Sequence, residues 1–353
     1  MYRIMLPCSR WVDDFFAPEP EESLEVAMQC FVRIAKAVLG DDAVSSDKCG
    51  FGNPLPILGM SVELRDTVIK IWPVPEKVSK WRTQIGRAQS DRRLSAHDAS
   101  KLGGRLSFAA QNIFTKLGRA MVRPLFQQQY DALPGGALRP TLSLALSWWD
   151  AVLAGGVGQE RCVVRGNSVV DLFCDASGKL GRTAAVLFAD GRCTCLSLAC
   201  VLHFVPFLMM HRVRYTAWDP SPELVAMFAT RRDMQIMGLE LLAIVLGLST
   251  FLAECRGRVV RVWTDNAGGE GALRKGSSFS DDHNAIVHMT WLLAASNNIG
   301  VFINRVPTLD NIADCPSRDD TCILDALSAV RCEPWLPVEL WKPTTWLNVV
   351  RYW

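Results

Sequence analysis

The sequence has almost no net charge and no long apolar run, and each absence excludes a class of protein. Its 353 residues include 38 Lys or Arg and 36 Asp or Glu, so the net charge of +2 alone does not identify a nucleic-acid-binding protein. The most apolar run, Leu196–Met210, is interrupted by His203 and Pro206 and is too short to cross a bilayer. Met1–Trp11 lacks the hydrophobic segment of a signal peptide. We therefore expect an intracellular protein, cytoplasmic or nuclear and not secreted, with no membrane partner.

The cysteines also lack a pattern. The chain has 12 of them, but Cys193 and Cys195 have no second pair or histidine at the spacing of a zinc site. Most lie in apolar runs, which is typical of reduced thiols in an intracellular protein. We expect neither a disulfide framework nor a structural zinc site.

Charge is unevenly distributed along a chain that is long enough for two or three domains. Residues 70–123 contain twelve basic and three acidic residues, whereas residues 1–69 contain six basic and eleven acidic ones. This contrast favours a polyanion-binding surface next to a metal-binding one, or else an ordinary solvated charged face.

The beginning of the chain predicts an α+β region. Arg3–Phe16 indicates two short strands around a turn, with Asp13 and Asp14 at or beside it. The aspartates have aromatic residues on both sides, and they are either a functional pair or a plain hairpin tip. A helix and a hairpin of two strands are predicted next, at Glu21–Leu39, Leu55–Val62 and Val68–Trp72.

The middle of the chain predicts four helices, three of them markedly basic. They cover Pro75–Ala88, Ala96–Phe114 after an N-cap at Ser95, Leu117–Tyr130 and Leu142–Leu153. Their cations suit a nucleic-acid clamp, or the charged outside of a helical bundle. The candidate nucleic-acid contacts are Lys77, Lys80, Arg82, Arg87, Lys101 and Arg105. A glycine-rich stretch beginning at Gly155 predicts a linker.

The last part of the chain predicts an α/β domain. The expected strands are Val169–Asp175, Thr183–Phe188, Cys193–Leu198, Arg258–Trp263 and Gly300–Val306, and the expected helices are Met237–Glu254 and His283–Ser296. This order implies a mixed sheet with helices packed on it. Residues 199–234 show no clear pattern, and the Trp- and Pro-rich residues 332–353 predict a packing strap.

Four carboxylates lie within or at the ends of these core elements: Asp175, Glu240, Asp265 and Asp314. Ionised carboxylates repel one another, so a cluster of them is unfavourable unless a cation lies between them. Hard divalent cations such as Mg2+ prefer oxygen ligands, and paired metal ions cleave phosphodiesters. The pattern therefore predicts a metal site for phosphodiester chemistry.

The same residues resemble a known family. D-A-S from Asp175, the helical Glu240, T-D-N around Asp265 and N-I-A-D-C-P-S-R around Asp314 resemble, in order, the four motifs of a ribonuclease H domain. The last motif is similar to that of eukaryotic retrotransposon reverse transcriptases. The resemblance covers about residues 167–320 and implies a ribonuclease H-like mixed sheet flanked by helices. It also implies two-metal hydrolysis of the RNA strand in an RNA–DNA hybrid, with DNA and RNA as partners.

The resemblance also implies a role for each residue. Asp175 would bridge two Mg2+ ions, Glu240 and Asp265 would hold one of them, and Asp314 would hold the other, with Mn2+ as an alternative metal. Asn266 would orient Asp265, contact nucleic acid or simply cap a helix. Some ribonucleases H carry a histidine before the last carboxylate, but residues 307–313 contain none. His283 and His288 are expected to be structural or at the surface.

The start of the chain resembles a second domain. Trp11-Val-Asp-Asp-Phe15 is similar to the aromatic-x-Asp-Asp motif of the reverse transcriptase palm, which implies that Asp13 and Asp14 bind metal. Lys48 and the Leu58-Gly59 pair lie where that family has a lysine and the primer-grip hairpin. The chain thus resembles a retrotransposon Pol protein, DIRS-like or Gypsy-related and of fungal type. The implied domains are a palm remnant at 1–72, a thumb and connection at 73–154, a linker at 155–166, the ribonuclease H-like domain at 167–330 and a tail at 331–353.

One departure from that family affects the expected activity. The fingers, and an earlier palm strand with another metal-binding aspartate, would lie before residue 1. We therefore expect no DNA synthesis by this chain alone, and the upstream fingers and palm portion is a candidate partner. Two other functions stay open: a catalytically silent nucleic-acid-binding remnant of a transposable element, and an integrase or transposase of the same fold.

Overall fold

The computed structural model describes residues 9–11, 14–45, 47, 49–65, 68–113, 116–155, 159–162, 169–189, 212–228 and 235–337. The chain divides into two compact units, Met1–Leu55 and Pro56–Trp353. None of the helices in these ranges is apolar over the length that a membrane crossing needs.

The first unit contains a hairpin and one helix. β1 (Ser9–Trp11) pairs antiparallel with β2 (Asp14–Phe16), which confirms the predicted hairpin. The predicted amphipathic helix is α1 (Leu24–Leu39), and Phe15 contacts its Phe31 with ring centroids 5.3 Å apart. No side chain described in this unit is buried, and Val38 is 74% exposed. The described part of this unit therefore has no buried core of its own.

A small sheet follows, in the order β3 (Leu55–Ile57), β4 (Met60–Arg65), β5 (Val68–Pro73) and β6 (Gln159–Cys162). β5 is antiparallel to both β4 and β6. The prediction of one strand over residues 55–62 is wrong. Leu58 and Gly59 have positive φ values of 52° and 79°, and this left-handed turn divides the segment into two strands.

The four predicted helices of the middle segment are confirmed. They are α2 (Pro75–Asp91), α3 (Ala96–Ile113), α4 (Arg119–Tyr130) and α5 (Pro140–Ala154). Proline begins α2 and α5, where its missing N–H costs no helical hydrogen bond. The Ser95 hydroxyl accepts a hydrogen bond from the Asp98 N–H at 3.1 Å, as expected of an N-cap.

The large sheet has six strands: β7 (Val169–Ala176), β8 (Thr183–Ala189), β9 (Arg212–Trp218), β10 (Val259–Thr264), β11 (Gly300–Arg305) and β12 (Val330–Arg331). Their order is β11-β10-β7-β8-β9-β12. β8 is antiparallel to β7 and β9, whereas β10 and β11 run parallel to β7, so the predicted mixed sheet is confirmed. β9 lies in the stretch that showed no clear pattern, and the strand predicted at Cys193–Leu198 lies outside the described residues.

Within the described residues, seven helices accompany this sheet: α6 (Pro222–Ala226), α7 (Ile236–Thr250), α8 (Leu252–Cys255), α9 (Ala267–Lys275), α10 (Asp281–Ser296), α11 (Asp314–Ser317) and α12 (Cys322–Ala326). α7 and α10 share a core with one face of the sheet, including Leu172 and Val260. α12 and the segment before α11 cover the other face at Phe173 and Phe188. α7 is apolar around almost its whole circumference because it is buried on nearly every side.

The basic helices and the large sheet belong to one continuous core. The ring of Trp148 in α5 lies 5.2 Å from that of His288 in α10, edge to face. His288 is buried, and burial lowers its pKa to about 3, so it is a neutral packing residue at physiological pH. His283 is buried as well. Of the two positions expected for these histidines, structural or at the surface, the fold supports the structural one.

We expect Gly247→Val to destabilise the protein. A Cβ at Gly247 would lie 2.9 Å from the Ala185 Cβ and 3.1 Å from a Leu172 methyl, so α7 could no longer pack closely on β7 and β8. Overpacking of this kind typically costs about 1–3 kcal/mol. The measurement is the free energy of unfolding in urea.

Gly86→Val is the matched control. Gly86 is an exposed residue of α2, and a Cβ there meets no atom within 4 Å. This variant should be neutral or slightly more stable, because valine is the better helix former by a few tenths of a kcal/mol. Equal losses in both variants would contradict the close approach at Gly247.

Candidate metal centre

Two parallel strands and one helix bring three carboxylates together. Asp175 is the penultimate residue of β7, and Asp265 directly follows β10, its parallel neighbour. Trp263 pairs with Phe173, so continuing the register by two residues brings Asp265 beside Asp175. Glu240 comes from the first turns of α7. One carboxylate oxygen from each residue lies within 4.8 Å of the other two, a spacing that could hold a metal ion.

These carboxylates lie in an environment that disfavours their charge. Asp175 and Glu240 are buried, and Asp265 is half-buried. The Oε2 atom of Glu240 is buried and accepts no hydrogen bond from any described group. A buried carboxylate oxygen without a donor is unfavourable in the protein alone, and a bound cation would compensate for it.

Burial and mutual repulsion shift two of the pKa values strongly. Desolvation, followed by the charges of Asp175 and Asp265, raises the pKa of Glu240 to about 9. Desolvation also raises the pKa of Asp175 to about 6, with further increases from Asp265 and Asp314. Both pKa values are raised because burial and neighbouring carboxylates disfavour the ionised form. A cation between the carboxylates would lower both pKa values again.

Two polar residues of the N-I-A-D-C-P-S-R segment fix these carboxylates. The buried Ser317 hydroxyl donates a hydrogen bond to Asp175 Oδ2 and thereby lowers the pKa of Asp175 against the effect of burial. Asn311 Nδ2 lies 3.0 Å from the Cys174 carbonyl and 3.4 Å from Asp265 Oδ1. Sequence reasoning gave neither residue a role, although both lie in the motif that was singled out.

The fourth predicted carboxylate, Asp314, lies beside this group rather than within it. It begins α11, and its charge contributes to the raised pKa of Asp175. Its Oδ1 accepts a hydrogen bond from Arg318 Nε at 2.7 Å. Arg318 reaches Asp314 because the α-helical turn puts residues four apart on one face.

Two other polar residues have structural roles. Asp171 is fully buried on β7, where Arg261 Nε donates to it at 2.7 Å and Trp263 Nε1 at 2.8 Å. Asn266 accepts a hydrogen bond from the Gly269 N–H at 2.8 Å and so caps α9. Helix capping was one of the three roles predicted for this residue. α9 itself was not predicted, because glycines at 268, 269 and 271 hide its helical pattern.

The six basic residues proposed as nucleic-acid contacts lie on α2 and α3. Lys80, Arg87 and Lys101 are exposed. The others already have partners: Lys77 Nζ lies 3.4 Å from the Leu58 carbonyl, Arg82 pairs with Asp150 at 2.8 Å, and Arg105 bonds to Gln84 at 3.0 Å. Three of the six predicted contacts therefore already have a hydrogen-bond or ion-pair partner within the protein.

The structure describes little of the expected polymerase site. Asp13 and Lys48 lie outside the described residues, and only the backbone of Asp14 is described, in β2. Their proposed metal-binding role therefore stays a prediction from the sequence.

The chain was compared with protein-family models and with curated proteins. No protein-family model matches the chain, and no curated protein is significantly similar to it. Its chemistry therefore has to be inferred from the geometry of the site itself.

We expect the metal-free protein to lose stability as the pH rises from about 5 to about 9. The pKa of Glu240 is raised from 4.5 to about 9 in the folded chain, so in this window the folded state binds more protons than the unfolded state. The loss should amount to a few kcal/mol and should level off above pH 9. Thermal unfolding in EDTA across this range measures it.

We expect Mg2+ to raise the Tm of the parent, and Glu240→Gln should abolish that rise and flatten the pH dependence. The amide is neutral at every pH and is a poor metal ligand. Glu333→Gln, at an exposed glutamate, should keep both properties. A Glu240→Gln variant with the parent's pH profile would show that Glu240 is not the group that titrates.

Ser317→Ala should weaken Mg2+ binding by about 10- to 100-fold, the usual effect of removing a hydrogen bond that orients a metal ligand. The reason is that Asp175 loses its donor and holds its proton more tightly. Isothermal titration with Mg2+ measures the change. Ser296→Ala, which removes a hydroxyl bonded only to its own helix at Leu292, should bind as the parent does. Equal affinities in all three proteins would refute the orienting role.

Proposed function

We propose that the large-sheet part of the chain is a metal-dependent nuclease of the ribonuclease H type, which hydrolyses the RNA strand of RNA–DNA hybrids. The convergence of Asp175, Glu240 and Asp265 on one point supports this most directly. Nothing in the packing requires three carboxylates there, and two of them are buried. A site of this composition suits a hard divalent cation.

The protein groups fit Mg2+, with Mn2+ as the alternative. Asp175, Glu240 and Asp265 would hold the ion, and the unpartnered Oε2 of Glu240 offers a free ligand atom. When bound, Mg2+ would stabilise the negative charge that develops on the phosphodiester oxygens. Asp314, outside this group of three, is the candidate ligand of a second ion.

The chain's own residues would prepare the site in three ways. Ser317 keeps Asp175 more readily ionised, and Asn311 restrains Asp265. The Asp314 side chain is 28% exposed and that of Arg318 is 62% exposed, so this pair lies where a substrate phosphate can reach it. Arg318 can bind a phosphate oxygen if its bond to Asp314 opens, because a guanidinium forms strong hydrogen bonds with either anion.

The element order and the motifs support a ribonuclease H-like domain in particular. Three antiparallel strands come first, and two strands parallel to the first of them follow, with helices between. The four motifs occur in the same order along these elements. A retrotransposon Pol origin, with a reverse transcriptase palm remnant and a thumb-like basic segment, is part of the same proposal.

The combination of this site with the basic helices supports a hybrid substrate. α2 to α5 share a core with the sheet, so their exposed cations stand at a fixed place relative to the acidic centre. Selection of the RNA strand would rely on its 2′-hydroxyl groups and on the shape of the duplex rather than on base edges.

The test is cleavage of an RNA–DNA hybrid, labelled on the RNA strand, by the full chain in Mg2+. We expect cleavage by the parent, none in EDTA, and a loss of at least about 100-fold in Asp175→Asn, which removes a charge that the metal and transition state require. Asp314→Asn should lower the rate as well if it holds a second ion.

Asp219→Asn is the matched control. Asp219 follows β9 at the same edge of the sheet, but it is occupied by Arg182 at 2.7 Å. Its removal should leave the rate close to that of the parent. A folded parent that binds the hybrid in Mg2+ or Mn2+ without cutting it would refute the nuclease and favour a silent binding remnant. Cleavage of duplex DNA instead would favour a transposase-type activity.

A further inference from the structure

An exposed aromatic ring stands among cations at the junction of the basic helices and the large sheet. Phe279, in the loop between α9 and α10, is 82% exposed. A single exposed phenylalanine is ordinary on a protein surface. Here, however, the Arg123 guanidinium lies 4.7 Å and the Lys275 ammonium 5.7 Å from the ring centroid, both in the range of cation–π attraction.

Two further cations lie next to this loop. A Cβ built on Gly276 would approach the Cβ of Lys116 and the Cδ of Arg119 to 3.0 Å each, so both side chains contact the loop. Burial, and to a smaller extent the charge of Arg119, lowers the pKa of Lys116. We call Lys116, Arg119, Arg123, Lys275 and Phe279 together the Phe279 patch.

Ion pairing distinguishes the cations of the Phe279 patch from other cations of the described residues. Within the described part of the chain, none of the four forms an ion pair with a carboxylate, whereas Arg82, Arg182 and Arg261 all do. Asp281 and Asp282, the acidic residues that follow soonest in the sequence, lie in the first turn of α10, where the helix dipole stabilises their charge. The patch therefore presents unbalanced positive charge around an apolar ring.

Hydrogen bonds hold the patch in place before any ligand arrives. Arg119 Nη1 donates to the Lys275 carbonyl at 3.1 Å, and Arg123 Nη2 donates to the Phe279 carbonyl. Pro124 inside α4 has no N–H, which frees the Ala120 carbonyl four residues earlier. Asn284 Nδ2 donates to that carbonyl at 3.0 Å, and its Oδ1 accepts from the Ser278 N–H. The loop is thereby fixed to α4.

We propose that the Phe279 patch binds an unpaired nucleic-acid strand, with a base stacked on Phe279 and the flanking phosphates on the four cations. Single-strand-binding surfaces combine these two features, because every base has a flat face and every linkage a negative charge. A simple anion would use the cations but not the ring. Binding here needs no cleavage, so it goes beyond the nuclease proposed above.

The position of the patch relates it to the acidic centre. α9 begins two residues after Asp265 and ends at Lys275. Its nine residues span about 13 Å, since a helix rises 1.5 Å per residue. At about 3.4 Å per nucleotide this corresponds to about four nucleotides. If the proposed function holds, a strand on the Phe279 patch would lead an adjoining hybrid toward the carboxylates.

The test is the fluorescence anisotropy of labelled oligo-dT and oligo-rU of about 12 nucleotides, titrated with the full chain in EDTA. Phe279→Ala should weaken binding by about 5- to 150-fold, the range expected for one lost base stack. Tyr130→Ala is the matched control, because Tyr130 is also 82% exposed and ends α4. It should bind like the parent, and Phe279→Trp should retain the affinity.

The charge of the patch has its own readout. Lys275→Gln should reduce the slope of log K against log salt concentration by about 0.7, the value for one lost phosphate contact on a single strand. Arg256→Gln, at an exposed arginine bonded to Asn297, should leave the slope unchanged. Equal affinities of Phe279→Ala and Tyr130→Ala would overturn the proposal, since heparin or any other polyanion could then fill the patch.

The two proposals fail in different ways. Binding that depends on Phe279 in a chain that cuts no hybrid would retain the patch and refute the nuclease. Cleavage of hybrid by a chain whose single-strand binding ignores Phe279 would do the reverse.

Discussion

Electrostatic repulsion among Asp175, Glu240 and Asp265 is the constraint on which the site depends. The three carboxylates converge at one edge of a buried sheet, and Glu240 enters from a helix that is apolar almost throughout. A folded chain can hold such a group only if its core is large enough to offset the unfavourable charge. The core that extends from the basic helices through α7 and α10 meets this requirement. The same burial that makes the site unfavourable when empty would make it a strong site for a cation.

The shared core also fixes the position of the basic segment relative to the site. Trp148 packs on His288, and Asn284 bonds to the carbonyl that Pro124 leaves free, so α4 and α5 are fixed to α10. Exposed cations on a flexible attachment would only raise the local concentration of nucleic acid. If the proposed function holds, cations at a fixed distance from the carboxylates would also set where along a strand cleavage occurs.

The sequence predicted the individual carboxylates better than their grouping. Asp175, Glu240 and Asp265 could be found because each interrupts an apolar run, and the strand pattern placed two of them at strand ends. The separate position of Asp314 depends on a short helix that lets Arg318 reach it, and no periodicity shows a four-residue helix. The orienting roles of Ser317 and Asn311 depend on contacts across 142 and 46 residues of chain, which single-sequence reasoning cannot see. β9, by contrast, was missed although Val213 and Tyr215 alternate with arginines and lie in one buried cluster, so its period-two pattern was available in the sequence.

Asp171 and Asp175 show what distinguishes a candidate metal ligand from a structural carboxylate. They lie four residues apart on the same face of β7, and both are buried. Arg261 and Trp263 together donate to both oxygens of Asp171, so the protein itself satisfies that charge. Asp175 receives one side-chain hydrogen bond, from Ser317, and faces two more carboxylates instead of a cation. Burial alone therefore does not identify the site. The decisive difference is that Arg261 supplies a cation to Asp171, whereas Asp175 lies beside two further carboxylates.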